Sequence, residues 1–244
     1  MNQPIRVLQW GLGAMGSGMA RLMLEKSGLQ IVAAVDARPD YVGRDLGEVL
    51  GVGKKLGVIV TDHPETVLDS NKVDLTVIAT TSWTERQMPD LRKIITAGIN
   101  VISIAEEMAD PAAQHPELAK ELDGLAKQHG VSVLGTGVNP GYVLDLLVVA
   151  LTGGCHSVER IEASRVNDLS PYGPTVMETQ GVGTTPEVFR KGVAEGTIVG
   201  HVGFPESIQL ISDALGLGVD RIVQTREPII SKVYRETPHV KVEP

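Results

Sequence analysis

Gly11-Leu12-Gly13-Ala14-Met15-Gly16, with Asp36 twenty residues past Gly16, is the stretch that decides the fold. Before it, Ile5-Arg6-Val7-Leu8-Gln9-Trp10 is an apolar run that reads as a strand. After it, Met15 to Lys26 has helical spacing, and Ile31 to Val35 reads as a second buried strand ending on the acid. Strand, glycine turn, helix, strand and acid in this order form a dinucleotide-binding β-α-β unit. Gly11 permits a tight turn out of the strand. Gly13 leaves the backbone open to a pyrophosphate, and Gly16 lets the helix pack close to the sheet. Leu12, Ala14 and Met15 complete the cradle, at the positive end of the helix dipole.

Asp36 is placed to accept hydrogen bonds from both hydroxyls of the adenosine ribose, which favours NAD because a carboxylate repels a 2′-phosphate. Arg38, two residues on, can turn in and pair with that phosphate, so NADP stays open.

The 244 residues suffice for one large or two smaller domains. Hydrophobic residues make up 42% and aromatics only 3%, so the core is built from aliphatic side chains, as suits a parallel α/β sheet. That scarcity of rings and a net charge of −8 without a basic cluster speak against nucleic acid. The acidic balance is compatible with a cationic substrate such as an amine. One cysteine, Cys155, forms no intrachain disulfide or cysteine-based metal site, and no histidine pair has metal-ligand spacing. Tyr142 to Leu151 is too short to span a bilayer, and no leader pattern precedes Ile5, so a cytoplasmic protein is expected.

Strands are predicted at 5–10, 30–35, 57–60, 73–79, 100–104 and 131–135, with helices at 15–27, 64–70, 84–97 and 115–129 between them. Ser82 and Glu85 form a capping-box pattern for helix 84–97, and Gly98 and Gly130 end helices. This is a doubly wound parallel sheet of the Rossmann type, with ligands expected at the carboxyl ends of the strands. The character changes near residue 139. Asn139 and Pro140 suit the start of a helix from Tyr142 to Leu151 that is apolar on nearly every face and so expected to be buried. An amphipathic strand at 158–166, a Gly-rich polar segment at 171–185, helices at 186–194 and 205–215, and extended segments at 219–225 and 229–242 follow. The reading is therefore a dinucleotide-binding domain over 1–140 and a substrate-binding and dimerisation α+β domain over 141–244. The terminal strand lacks a closing partner, so the second domain is expected to be truncated.

The strand ends carry the candidate chemistry. Thr80, Thr81 and Ser82 are small hydroxyl residues that let a dinucleotide lie across the sheet. Glu106 and Glu107 follow the fifth strand, beside the expected nicotinamide, and are the best general-base candidates. Asn139 is placed to bond the nicotinamide amide or to cap a helix. Asp168, Gln180 and His201 are weaker candidates for substrate contacts, and His63, His115 and His129 are expected to face water.

Beyond these residues, Trp10 to Ala20, Gly43 to Val49, Ile104 to Met108, Gly135 to Gly141, Thr179 to Gly183, Gly200 to Ser207 and Thr225 to Ile229 resemble the 2,4-diaminopentanoate dehydrogenase family along nearly the whole chain. Native amine dehydrogenases, which reductively aminate simple ketones, are similar to the same family, and dihydrodipicolinate reductase more distantly. The resemblance implies NAD(P)-dependent oxidative deamination of the 4-amino group, giving 2-amino-4-oxopentanoate and ammonia, or the reverse amination of ketones, in a homodimer. It implies no nucleic-acid or membrane partner. It maps the active-site glutamate onto the 106–107 pair, with Glu106 nearer the strand end and the register open. Members of the family continue beyond Pro244.

Three other readings compete. Sugar-type oxidoreductases carry Glu-Lys-Pro after the fifth strand, where this chain has Glu106-Glu107-Met108. A dihydrodipicolinate reductase-like enzyme would show a histidine pair in the second domain. An NAD(P)-binding protein without dehydrogenase activity would not need acids at the nicotinamide end.

Overall fold

The computed structural model describes residues 3–244. Six parallel strands form one sheet in the order β3-β2-β1-β4-β5-β6, the doubly wound order of a dinucleotide-binding fold. They are β1 (Ile5–Trp10), β2 (Leu29–Val35), β3 (Val60–Thr61), β4 (Leu75–Ile78), β5 (Asn100–Ser103) and β6 (Val133–Gly135). Helices α1 (Ala14–Leu24), α2 (Leu46–Leu50), α3 (Thr84–Thr96) and α4 (Pro116–His129) connect them. The side-chain alternation of β1 explains why both faces are covered. Leu8 and Trp10 enter one core with Met88, Leu91 and Ile94 of α3, while Val7 enters the other with Ala20 and Met23 of α1.

Two local expectations fail here. The segment 64–70 forms only a short 3-10 turn, Pro64–Thr66. The Asp69 side chain accepts the Asn71 N–H at 2.9 Å and so closes a competing turn. The helix α2 was not predicted. It is short, and the buried Asp45 makes it, accepting the N–H groups of Gly47, Leu56 and Gly57 within 2.8–2.9 Å.

The remaining chain carries α5 (Leu146–Thr152), α6 (Pro174–Thr179), α7 (Pro186–Glu195), α8 (Phe204–Leu215) and a hairpin of β7 (Arg235–Glu236) and β8 (Lys241–Val242). Asn139 does not cap α5. Asp145 does, accepting the N–H groups of Leu146 and Gly141, and it is locked by a 2.8 Å bond from Ser207 Oγ. The helix therefore starts at 146 and is not buried: Leu146 and Leu151 are exposed. The segment 158–166 is no strand, because no neighbour supplies its backbone with hydrogen bonds, and Val166 stands in solvent. Of the extended segments at 219–225 and 229–242, only the hairpin forms strands. The Gly-rich segment contains α6, which composition alone concealed. Cys155 is free and exposed, and among the described residues no helix is long and apolar enough to cross a membrane.

Candidate active site

The cofactor end is built as the glycine spacing requires. Gly11 has φ +91°, and a Cβ on it would lie 2.5 Å from the Ala79 carbonyl oxygen. A Cβ on Gly16 would lie 2.0 Å from the Gly11 carbonyl oxygen, so strand and helix meet with no room for a side chain. Around Gly13 there is open space, and no side chain occupies the N-cap of α1. Gly13, Ala14 and Met15 are exposed at this mouth, while Leu12 is buried. The donor set and the free space fit a pyrophosphate.

Asp36 lies at the end of β2. Its Oδ2 accepts the Leu12 N–H at 2.6 Å, and its Oδ1 accepts Arg38 N–H and Arg38 Nε at 2.9 and 3.0 Å. Burial works against its ionisation, but the bonds from Arg38 and Leu12 outweigh it and hold the carboxyl below its ordinary range. Arg38 also bonds the Leu12 carbonyl and stacks 3.7 Å over the Tyr41 ring, so its partly exposed guanidinium is held beside Asp36 and the glycine turn. Thr80 packs its methyl against Gly11. Thr81 Oγ1 accepts the Trp83 N–H at 3.3 Å, and the Ser82 carbonyl accepts the Glu107 N–H at 3.2 Å.

The two glutamates after β5 part company. Glu107 is buried; its Oε2 accepts the Thr84 N–H at 2.7 Å and lies 3.2 Å from His115 Nε2. It therefore caps α3, the role expected of Ser82, and the Ser82–Glu85 capping box does not form. His115 is mostly enclosed beside it rather than facing water. Glu106 takes no part in that cap; it is half-buried, and its Cβ stands beside Gly203 at the start of α8. Gly203, at φ +106°, approaches there so closely that a Cβ would lie 2.5 Å from Pro140 Cγ and 3.4 Å from Glu106 Cβ. Only glycine fits.

The turn Gly200-His201-Val202-Gly203 brings more candidates together. Asn139 Nδ2 lies 2.7 Å from His201 Nε2, and Asn139 Oδ1 is enclosed without a partner. With Nδ2 as donor, the imidazole carries its proton on Nδ1. Burial, and then the charge of Arg165, pull the His201 pKa down and favour the neutral ring. Phe204 meets that ring edge-on at 5.1 Å. Gln180 Nε2 donates to the Gly200 carbonyl at 2.9 Å. Asp168 is not brought in: it is exposed, and its Oδ1 accepts the N–H and Oγ–H of Ser170.

Sequence reading missed Glu206. This first-turn residue of α8 is completely buried, and its Oε1 accepts Gln114 Nε2 at 2.6 Å while Oε2 has no partner. Burial pushes its pKa up, and the nearby Glu107 and Asp110 push it further, against the Gln114 bond. Asp110 is likewise raised by burial and by Asp213. An acid in a first helical turn ordinarily reads as solvated, and no local signal marks this one as a bridge between α8 and the Glu106 loop.

Residues 142–244 match the family described as 2,4-diaminopentanoate dehydrogenase C-terminal domain, and residues 5–76 match dihydrodipicolinate reductase, N-terminus. The chain is 46% identical to 2,4-diaminopentanoate dehydrogenase of Acetoanaerobium sticklandii over 253 residues, covering 97% of this chain and 67% of that protein. It is 26% identical to amine dehydrogenase of Streptomyces virginiae, covering 91% and 62%. The solved structure of amine dehydrogenase from Mycobacterium smegmatis superposes with a TM-score of 0.81 at 30% identity, over 98% of this chain and 71% of that one. This chain thus spans about two thirds of the length of these relatives. With 46% identity along 97% of its length, the chain belongs to the 2,4-diaminopentanoate dehydrogenase family of NAD(P)-dependent oxidoreductases acting on CH–NH2 groups.

Proposed function

We propose that this chain oxidatively deaminates 2,4-diaminopentanoate at its 4-amino group, giving 2-amino-4-oxopentanoate, and runs the reverse reductive amination. Residues 1–140 carry the cofactor and 141–244 the substrate, in a cytoplasmic homodimer. The observation that carries the reading is the division of labour after β5. Glu107 is spent on capping α3, whereas Glu106 is left out of that cap, with its Cβ beside Gly203, which packs on Pro140.

The bound nicotinamide supplies a hydride acceptor. Gly11, Gly13 and Gly16, with Leu12, Ala14 and Met15, would hold the pyrophosphate, Asp36 and Arg38 would meet the ribose, and Thr80, Thr81 and Ser82 would border the cofactor. Asn139, fixed by His201, bounds the nicotinamide end. Glu106 holds the substrate ammonium and takes one proton from its nitrogen as hydride leaves the adjacent carbon. The substrate becomes an iminium ion, and Glu106 passes its proton to solvent. The same carboxylate then takes a proton from the water that attacks the iminium carbon and returns it to the nitrogen, and ammonia leaves as the new hydroxyl gives up its proton to form the ketone.

The test is NADH or NADPH formation against 2,4-diaminopentanoate, simple amines and amino acids, with ammonia release measured in parallel. Stoichiometric ammonia and reduced cofactor from the diamino acid are expected. A protein that binds NADH yet oxidises no amine would favour the non-catalytic reading.

A further inference from the structure

The Gly200–Gly203 turn has opposite charges at its two ends. At Gly203 stands Glu106. At Gly200 stands Arg226: its Nε donates to the Val199 carbonyl at 2.9 Å, and a Cβ on Gly200 would lie 3.5 Å from that nitrogen. The other bond of Arg226 is a long one, from Nη2 to Gln224 Oε1 at 3.3 Å. Among the described residues it pairs with no carboxylate, and neither does Arg165, the half-buried cation whose charge reaches His201.

Arg226, Gln180 and His201 line one groove of about 960 Å³, whose other walls include Phe189, Phe204 and Ile208. Such a volume suits a small organic ligand. The neutral imidazole of His201 separates the cationic end from the Glu106 end. The groove is bounded by Arg226 at the Gly200 end of the turn, and Glu106 lies outside its lining, beside Gly203 at the other end.

Resting on the amine dehydrogenase reading above, we propose that Arg226 is a specificity-determining residue that takes the carboxylate of an amino-acid or oxo-acid substrate whose nitrogen-bearing carbon lies at Glu106. A planar fork that is always charged matches a carboxylate in two bonds, and its stem is already fixed by Val199. The selectivity is then for molecules that carry an acid group as well as the reacting centre.

The test compares Arg226→Met, Arg226→Lys and the unaltered protein in the reductive direction, with ammonia, NADH, and either 4-oxopentanoate or pentan-2-one. Arg226→Met should raise KM for 4-oxopentanoate by about ten- to hundredfold and leave pentan-2-one turnover unchanged. Arg226→Lys should restore part of the loss. Equal losses on both ketones, or no change on either, would overturn the proposal. Calorimetric binding of 4-oxopentanoate is measured alongside. If the unaltered protein binds it but reduces neither ketone, the catalytic reading fails; the subsite then stands if Arg226→Met abolishes binding and falls if it does not. Absence of binding to the unaltered protein also overturns the subsite.

Discussion

The two parts of the chain use apolar residues in opposite ways. Among the described residues, buried apolar side chains run from Val7 to Leu122, and beyond them only Met177 and Ile198 join. In the second part Leu151, Val223 and Ile229 stand largely in solvent, Ile229 at 99%. The first part closes its core with helices on both faces of a parallel sheet. The second is tied to the first mainly through polar and close backbone contacts: Asn139 with His201, Gln114 with Glu206, and Gly203 against Pro140. Stability should therefore reside in one part, while chemistry depends on how the two meet.

Core truncation should show the largest difference. Leu91→Ala, at a fully buried site in the first core, should cost about 2–5 kcal/mol in urea unfolding. Ile229→Ala should change stability by no more than about 0.5 kcal/mol. Similar losses at both positions would break the comparison.

Replacing Glu107 with Gln should be the next largest. It removes the charged acceptor at the start of α3 and should lower stability by about 1–2 kcal/mol in the same measurement, with NADH affinity retained. A loss of turnover with no loss of stability would contradict the cap.

A smaller effect is expected at the junction. Glu206 has a folded pKa above its unfolded value, so folding favours its neutral form. That stabilisation is present below the unfolded value and fades as pH rises through the raised folded one. Glu206→Gln keeps an oxygen for Gln114 and should gain thermal stability relative to the parent as pH climbs from about 5 upward. Parallel melting curves across that range would refute a neutral Glu206.

The smallest effect lies at the surface. Arg6 bonds Asp74 at 2.6–2.9 Å and lowers its pKa to about 2. The stabilisation holds above the unfolded value near 4 and is lost as pH falls through about 2. Asp74→Asn should flatten that acid limb, as thermal melts at stepped pH would show.

The same contrast explains what was legible in the sequence. The β1–α1–β2 unit could be read because its signals are local: alternation in Ile5–Trp10, glycines at 11, 13 and 16, and an acid closing β2. That the sheet is parallel followed from strand–helix alternation. The roles of Glu106 and Glu107 could not be separated, because Thr84 and His115, which claim Glu107, come from other segments. Asp145 with Ser207 is 62 residues apart and Gln114 with Glu206 is 92, distances at which periodicity carries no signal. Segment 158–166 alternates like a strand, yet a strand needs a neighbour that no local pattern supplies.

The most direct measurement is the steady-state rate of NADH formation from 2,4-diaminopentanoate by the parent chain, Glu106→Gln and Glu107→Gln, each checked for folding and NADH binding. The expected result is that Glu106→Gln binds NADH normally and loses about 10²- to 10⁴-fold in kcat, while folded Glu107→Gln turns over near the parent rate. Full turnover by a folded Glu106→Gln protein would contradict the assignment of the cleft.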